Sequence, residues 1–414
     1  MTKKLQPKLR FRGFTDDWEQ RQFTTAFEFL KTNTYSRADL ELSTTGIVNI
    51  HYGDILVHYD CCLSVGDNAL VSLKDPSLAN AYGDNLLADG DAVIADTAED
   101  QAAGRCVELS NIGDRKVLAG LHTIAIRSRI KFGSGYLGFY LNSNAYRKQL
   151  LPQMQGTKVV SISKEALKRT SITMPSLSEQ VKIGDLLKKL DSLIAAEKRT
   201  LNLLKDKKTA LLRQIFNQET RFKSYDRPWE QRKLGEIAEV VGGGTPDTNN
   251  PSYWNGSINW FTPAEIGSST YVADSKRKIT EKGLQHSSAS LLPAYRTILF
   301  TSRASIGLVA ILTTDACTNQ GFQSLVASDQ VDVFFLYSLC DRIKRQAVRN
   351  AAGSTFLEVS GKQLAKIPVQ VPSLAEQRRI GELFQVIDAL IAAKSQKIDL
   401  LELKKKSLLQ QMFV

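Results

Sequence analysis

Along residues 175–216 apolar positions step by four and three, through Ile183, Leu187, Leu190, Ile194, Leu201, Leu204, Leu211 and Ile215. Residues 372–413 repeat the pattern as Ile380, Phe384, Ile387, Ile391, Ile398, Leu401, Leu408 and Met412. This period predicts helices with a heptad seam. Charge alone interrupts it, at Glu197 and Lys208 in the first copy and at Lys394 and Lys405 in the second. Each run follows a proline and opens on S-x-x-E, Ser176 with Glu179 and Ser373 with Glu376. Hydroxyl and carboxylate at that spacing can satisfy backbone donors left open at a helix start. The copies are related by a shift of 197 with no gap, and 21 of 42 positions are identical.

Length decides what the seam packs against. A helix of about 40 residues is roughly 60 Å long, whereas a block of about 140 residues has a radius of gyration near 14 Å. Burial against its own block would leave most of such a helix unsupported, so each copy needs a partner of its own length. The other copy is that partner.

A second repeat places the copies in a larger plan. RFRGFTDDWEQR from Arg10 recurs as RFKSYDRPWEQR from Arg221, a shift of 211. The chain therefore reads as lead-in segment 1–22, block 23–174, helix 175–220, lead-in plus second block 221–371, and helix 372–414. The short link from Asn217 to Arg232 ties the second block to the far end of the first helix. The second helix can then cover the first only by running antiparallel. The expected outcome is a pseudo-twofold arrangement, with the blocks separated by an antiparallel two-helix coiled coil and Glu197 facing Lys394 across the axis.

Inside the blocks the period shortens to that of strands. SINWFTPAEI, RTILFTSRASIGLVAILT and ACTNQGFQSLVAS in the second block read as strands joined by loops. GIVNIHYGDILVHY, LLADGDAVIADTAEDQAAGRCVEL and AGLHTIAIRS form a looser parallel in the first. Each block closes on a helical stretch, SGYLGFYLNSNAYRKQLL or DVFFLYSLCDRIKRQAV. The fold class is α+β, and the blocks read as diverged copies of one domain.

Composition narrows the setting. The 414 residues are 43% hydrophobic and 23% charged, an ordinary globular balance. No run of eighteen apolar residues occurs, and MTKKLQPKLRFRG lacks the apolar centre of a signal peptide. Five cysteines without a CxxC pair suit a reducing compartment, so the cytoplasm is expected. The net charge of +11 is uneven: the blocks 21–160 and 233–360 carry −2 and 0, while 161–232 and 361–414 carry +7 and +4.

Motifs of catalysis are missing. Gly242, Gly243 and Gly244 precede Thr245 and Pro246, without the lysine a phosphate loop requires. NPSY, Asn250 to Tyr253, is one residue from an amino-methyltransferase tetrad, but no glycine-rich strand-to-helix fingerprint precedes it. His51, His58, Cys61 and Cys62 match no zinc spacing, and Asp89, Asp91, Asp96, Glu99 and Asp100 read as a solvated acidic loop. No metal, no catalytic residue and no membrane contact are expected. The chain reads as a binding protein.

The paired lead-ins RF…WEQR, the duplicated PSLSEQ…IGDLL…LDSLIAA…LLRQIF, the second round ending LLQQMF, and GGTP…YWNGSINW with TSRASIG together resemble the specificity subunit of Type I restriction-modification systems. The resemblance covers essentially the whole chain. It implies two target-recognition domains, each reading one half of a bipartite asymmetric site in double-stranded DNA, with the helices setting the gap. It also implies two methylation subunits that bind S-adenosylmethionine, two restriction motor-nuclease subunits that use ATP and magnesium, and no cofactor on this chain. Loop position then nominates DNA-contacting residues: Trp260, Thr262, Ser302, Arg303, Ser305, Asn319, Gln320 and Gln323 in the second block, and His51, Tyr52, Asp54, His58, Tyr59, Thr97 and His122 in the first. Arg303 leads, because a guanidinium fork suits guanine or phosphate. The rivals are a two-module coiled-coil adaptor that joins proteins, and a self-sufficient methyltransferase.

Overall fold

The computed structural model describes residues 5–414 apart from 67, 157, 304 and 352–356, and leaves out the side chains of Asp84 and Asn350. Two compact units emerge, Met1–Lys198 with Lys397–Val414, and Arg199–Gln396. Each contains one block, its lead-in segment and part of both long helices, Leu177–Phe216 and Leu374–Gln411.

In the first unit the lead-in strand Glu19–Gln22 pairs antiparallel with Ser171–Met174, Glu19 opposite Met174. A five-stranded sheet follows in the order Phe27–Phe29, Thr123–Ser128, Ala92–Ala95, Cys106–Ser110, Cys62–Ser64. Its middle strand is buried throughout, as the uninterrupted apolar run AVIA requires. A second sheet has the order Val117–Ala119, Val48–Ile50, Leu70–Leu73, Leu40–Ser43. The second unit repeats this plan. Glu230–Lys233 pairs with Pro368–Val371, Glu230 opposite Val371. Its five-stranded sheet runs Ala238–Gly242, Gln323–Ala327, Thr297–Phe300, Val309–Leu312, Tyr271–Val272, and its smaller sheet runs Arg277–Ile279, Trp254–Phe261, Ala316–Thr318. Even the parallel pairs coincide: Cys62–Ser64 with Cys106–Ser110 matches Tyr271–Val272 with Val309–Leu312, and Val48–Ile50 with Val117–Ala119 matches Trp254–Phe261 with Ala316–Thr318. The blocks are two versions of one α+β domain.

Two stretches differ from expectation. GIVNIHYGDILVHY is strand only to Ile50, because the His51 ring nitrogen accepts from Gly53 N and caps a helix over Tyr52–Val57. SGYLGFYLNSNAYRKQLL is two helices, Tyr136–Asn142 and Asn144–Leu150, broken where the Ser143 hydroxyl caps the second.

The repeated helix starts explain the repeated lead-ins. Arg10 Nε and Nη2 donate to the two carboxylate oxygens of Glu179, each at 2.8 Å, and Arg221 makes the same pair of 2.8 Å bonds to Glu376. Both glutamates are buried. The S-x-x-E carboxylates thus hold the lead-in arginines instead of closing capping boxes, although the Ser373 hydroxyl still accepts from Glu376 N at 3.4 Å. The next residue locks the block on. Gln180 accepts from Gly133 N and donates to Pro175 O, while Gln377 accepts from Asp332 N and donates to Pro372 O.

Every seam residue is buried or half-buried: Ile183, Leu187, Leu190, Ile194, Glu197, Leu201 and Leu204 on one helix, Ile380, Phe384, Ile387, Ile391, Lys394, Ile398 and Leu401 on the other. Its first turns serve the blocks as well as a partner helix. Ile183 and Leu187 share a core with Tyr136, Tyr140, Met412 and Phe413, and Ile380 and Phe384 share one with Phe335, Ile215 and Phe216. Within each unit the two helices run antiparallel. In the first, Asp191, Glu197 and Lys198 pair with Lys405, Lys397 and Glu402 at 2.5–2.6 Å. In the second, Lys208 pairs with Asp388 at 2.5 Å. The charged seam positions Lys405 and Lys208 thus meet aspartates related by the same shift of 197. Glu197, which accepts from Lys397 Nζ at 2.6 Å, is itself buried in the seam. No helix among the described residues is long and apolar enough to cross a membrane.

Candidate nucleic-acid interface

In the second unit three loops converge at one end of the sheets. Thr262 and Pro263 follow the strand Trp254–Phe261, and the Thr262 hydroxyl and amide both donate to Glu265 Oε2, at 2.6 and 2.8 Å, to tighten a turn over Pro263–Glu265. The second carries Ser302, Arg303 and Ser305 beyond Thr297–Phe300. The third loop, 319–322, turns where Asn319 Oδ1 accepts from Gly321 N at 2.9 Å. Backbone bonds tie the loops together, Asn319 N to Phe261 O at 3.0 Å and Ser302 N to Gly321 O at 2.8 Å. The groove so formed is lined by Pro263, Ala264, Arg303, Ser305, Leu308, Asn319 and Gln320.

Four of the eight residues nominated in this block therefore line one groove: Arg303, Ser305, Asn319 and Gln320, with Thr262 adjoining it through Pro263. Gln320 also accepts a hydrogen bond from the Thr245 hydroxyl. Three lie elsewhere. Trp260 is buried in a separate cluster, its indole N–H donates to Gly244 O at 2.8 Å, and Trp254 meets it edge-on. Ser302 is fully buried beneath the loop. Gln323 lies in the strand pair with Gly242, next to Gly361.

The first unit builds the same frame with other side chains. Gly120 N donates to Ile50 O at 2.9 Å and Asp96 N to His122 O at 3.1 Å, repeating the two loop ties of the second unit. His51 occupies the position of Thr262, Thr97 that of Arg303, and His122 that of Gly321. Tyr52 packs against His51 at 4.7 Å and edge-on to His122 at 5.2 Å, and His122 Nδ1 is 3.4 Å from Asp96 Oδ1. His122 holds a φ of 52°, in the left-handed region. Burial lowers the His51 pKa, with Arg37 and His122 lowering it further and Asp54 raising it. A neutral ring whose Nδ1 accepts from Gly53 N carries its proton on Nε2.

Asp54 is buried, takes both Arg37 Nη groups at 2.7 and 2.9 Å and stands where Glu265 stands in the other block. The Tyr59 hydroxyl is buried and burial raises its pKa, whereas His58 is exposed just past the helix Tyr52–Val57.

Sequence reading missed two partners. Glu358 Oε1 lies 2.8 Å from Arg303 Nε, with the two backbones in an antiparallel bridge, and Asp96 lies beside His122. Glu358 follows its arginine by 55 residues, so no local pattern announces it. A third feature, the Arg277 guanidinium stacked 3.7 Å over the Trp254 ring, lies in the cluster with Trp260. Among the described residues no group of three metal-ligating side chains occurs.

Comparison with known proteins places this geometry. The Type I restriction modification DNA specificity domain matches residues 79–206 and 226–403. The type I restriction enzyme MjaIX specificity subunit of Methanocaldococcus jannaschii is 36% identical over 208 residues, 48% of each chain. The EcoR124I/EcoR124II specificity subunit of Escherichia coli is 30% identical over 240 residues, 55% of this chain and 58% of that one. The chain thus spans about half the length of these curated relatives. The crystal structure of a type I restriction-modification S subunit from M. genitalium shares the fold, with a TM-score of 0.61 over 99% of both chains at 15% identity. With the specificity domain matched twice, over residues that together make up most of the chain, and the same loop frame built in both units, the chain belongs to the type I restriction-modification DNA specificity family.

Proposed function

We propose that this chain is the specificity subunit of a type I restriction-modification complex, and that each block reads one half of a bipartite, asymmetric target in double-stranded DNA. One observation carries the reading: the same three-loop frame occurs twice with different chemistry, His51, Tyr52, Thr97 and His122 in one copy and Thr262, Arg303, Asn319 and Gln320 in the other. Base edges in the major groove differ in their donor and acceptor pattern, so a guanidinium and amides on one frame select a different sequence from imidazoles and hydroxyls on the other.

The chain itself is non-catalytic in this reading. Two methylation subunits supply S-adenosylmethionine chemistry and two restriction subunits supply ATP- and magnesium-dependent translocation and cleavage, while the helices dock the methylation subunits and set the gap between half-sites. Blocks of charge −2 and 0 neutralise few phosphates, so the isolated chain binds DNA weakly at physiological salt and gains affinity within the complex.

The test is to express the chain with its methylation subunit in a host lacking other adenine methylation and to sequence the methylome. One split motif is expected, with Thr97 substitutions altering one half and Arg303 substitutions the other. An unsplit motif, or S-adenosylmethionine binding by this chain alone, would overturn the reading.

A further inference from the structure

Arg303 can in principle serve a phosphate or a base, and its neighbour distinguishes the two. Glu358 Oε1 sits 2.8 Å from Arg303 Nε, and both side chains remain nearly half exposed, at 47% and 43%. The pair is held by backbone as well as by charge: Arg303 and Glu358 form an antiparallel bridge, and Val359 N donates to Ser302 O at 3.1 Å. At the same place in the first unit the bridge joins Thr97 to Ser161, two neutral residues. The fold therefore forms at this position without an ion pair, and the charge in the second unit serves something other than folding.

A carboxylate at that distance works against a phosphate contact. It cancels the net charge that draws a phosphate and would repel the phosphate's own oxygens. It does not weaken the direction of the remaining guanidinium donors. The contact to Glu358 uses Nε, and the end-on edge with Nη1 and Nη2 is the one whose two donors match guanine O6 and N7. An ion pair that already restrains the arginine also reduces the rotamer freedom lost on binding.

We infer that Glu358 is a positioning residue that makes Arg303 a reader of guanine rather than of phosphate, so that one base of the second block's half-site is specified by the Arg303–Glu358 pair. The inference rests on the DNA-reading function proposed above.

The experiment uses the full chain with its methylation partner and duplexes carrying each of the four bases at every position of the methylated motif. Absence of any split motif for the unaltered chain would remove the proposed function itself. Given a motif, Arg303→Ala should reduce the preference for guanine at one position about tenfold to a hundredfold. Glu358→Gln should reduce it at the same position by about tenfold, Glu358→Asp should restore part of it, and the double variant should lose no more than Arg303→Ala. Affinity for unrelated duplex should hold or rise in Glu358→Gln, because a negative charge is lost, and the salt dependence of binding should keep its slope in Arg303→Ala. If Glu358→Gln leaves base preference intact, the positioning role is wrong. If Arg303→Ala weakens all sequences equally and lowers the salt slope by about one, Arg303 is a phosphate contact and the inference falls.

Discussion

Arg10→Ala tests why the lead-in segment recurs. The substitution leaves the Glu179 carboxylate, whose side chain is 1% exposed, without the two 2.8 Å donors that hold it. Removing one partner of a buried pair costs about 3–5 kcal/mol, because the charge left behind is uncompensated. For a unit of about 200 residues each kcal/mol moves the melting temperature by roughly 2–4 °C, so a fall near 10 °C is expected. Arg221→Ala should cost less. Glu376 keeps the Trp229 indole N–H at 3.3 Å, whereas the Trp18 indole N–H in the first unit is buried without a partner. A hydrogen bond to a charged group contributes about 1.5–3 kcal/mol, and at this length the lower end applies. Calorimetry gives the totals, and hydrogen exchange locates them, with protection lost around residues 175–190 in one variant and 372–387 in the other. The double variant Arg10→Met/Glu179→Leu should return most of the stability, since no buried charge remains. A loss under about 1 kcal/mol for Arg10→Ala, or equal losses for the two arginines, would refute the reasoning.

Three further outcomes follow from the helices and the first block. Gly184→Ala should destabilise despite the higher helix propensity of alanine, because the added Cβ would lie 2.4 Å from Ser134 O. Gly381→Ala should cost less, its nearest obstacle being the Asp332 side chain, which can turn away at the expense of its cap on Phe335 N; equal melting points would contradict this. Lys405→Met should cost about 3–5 kcal/mol by stranding Asp191, with recovery in Lys405→Met/Asp191→Leu, while Lys198→Met breaks an exposed pair and should cost under about 1 kcal/mol in denaturant titration. His51 has a folded-state pKa depressed by burial, with Asp54, Arg37 and His122 the charged or titratable groups facing it. The unfolded chain therefore binds the extra proton, and the contribution of His51 to stability is complete above a pH of about 6.5 and declines as pH falls toward the depressed value. His51→Asn, which can keep the cap on Gly53 N, should flatten the melting temperature as pH falls below about 6.5; an unchanged slope would exclude His51 as the cause.

What could be read in advance followed physical scale. The long helices were legible, because a heptad stripe is a local pattern that only helices satisfy, and the fourteen positions nominated on it are buried or half-buried. The groove was legible in part. Arg303, Ser305, Asn319 and Gln320 stand in loops marked by glycine and asparagine after apolar strands, and those loops do converge. Ser302, next to Arg303, and Trp260 and Asp54, nominated on the same ground, turn inward, and the orientation of the last two depends on distant partners: Gly244 O for Trp260, Arg37 for Asp54. A polar side chain in a loop does not reveal whether its partner is water, protein or ligand. The same limit hid Glu358 behind Arg303 and left Asp191 and Asp388 unassigned until the antiparallel register brought Lys405 and Lys208 beside them.

The contacts that hold a block to its helix are largely indifferent to the chemistry of that block's loops. Gly133 and Asp332, unlike residues, offer the same backbone N–H to Gln180 and Gln377 at 3.0 Å. The loop frame is likewise tied by amides and carbonyls at Ile50 and Gly120, and at Phe261 and Asn319. Since neither set of bonds involves the side chains lining the groove, Thr97 and Arg303 can differ completely while the order of the shared strands and the antiparallel bridge at this position stay the same. Stability and recognition are thereby separable. Changes at Arg10, Gln180 or Gly184 should lower melting temperature with the target unchanged, whereas changes at Thr97, Arg303 or Gln320 should alter the target at nearly constant stability. A single substitution in the groove that shifted both together would mean that the frame depends on its contents, and the two-copy design would lose its physical basis.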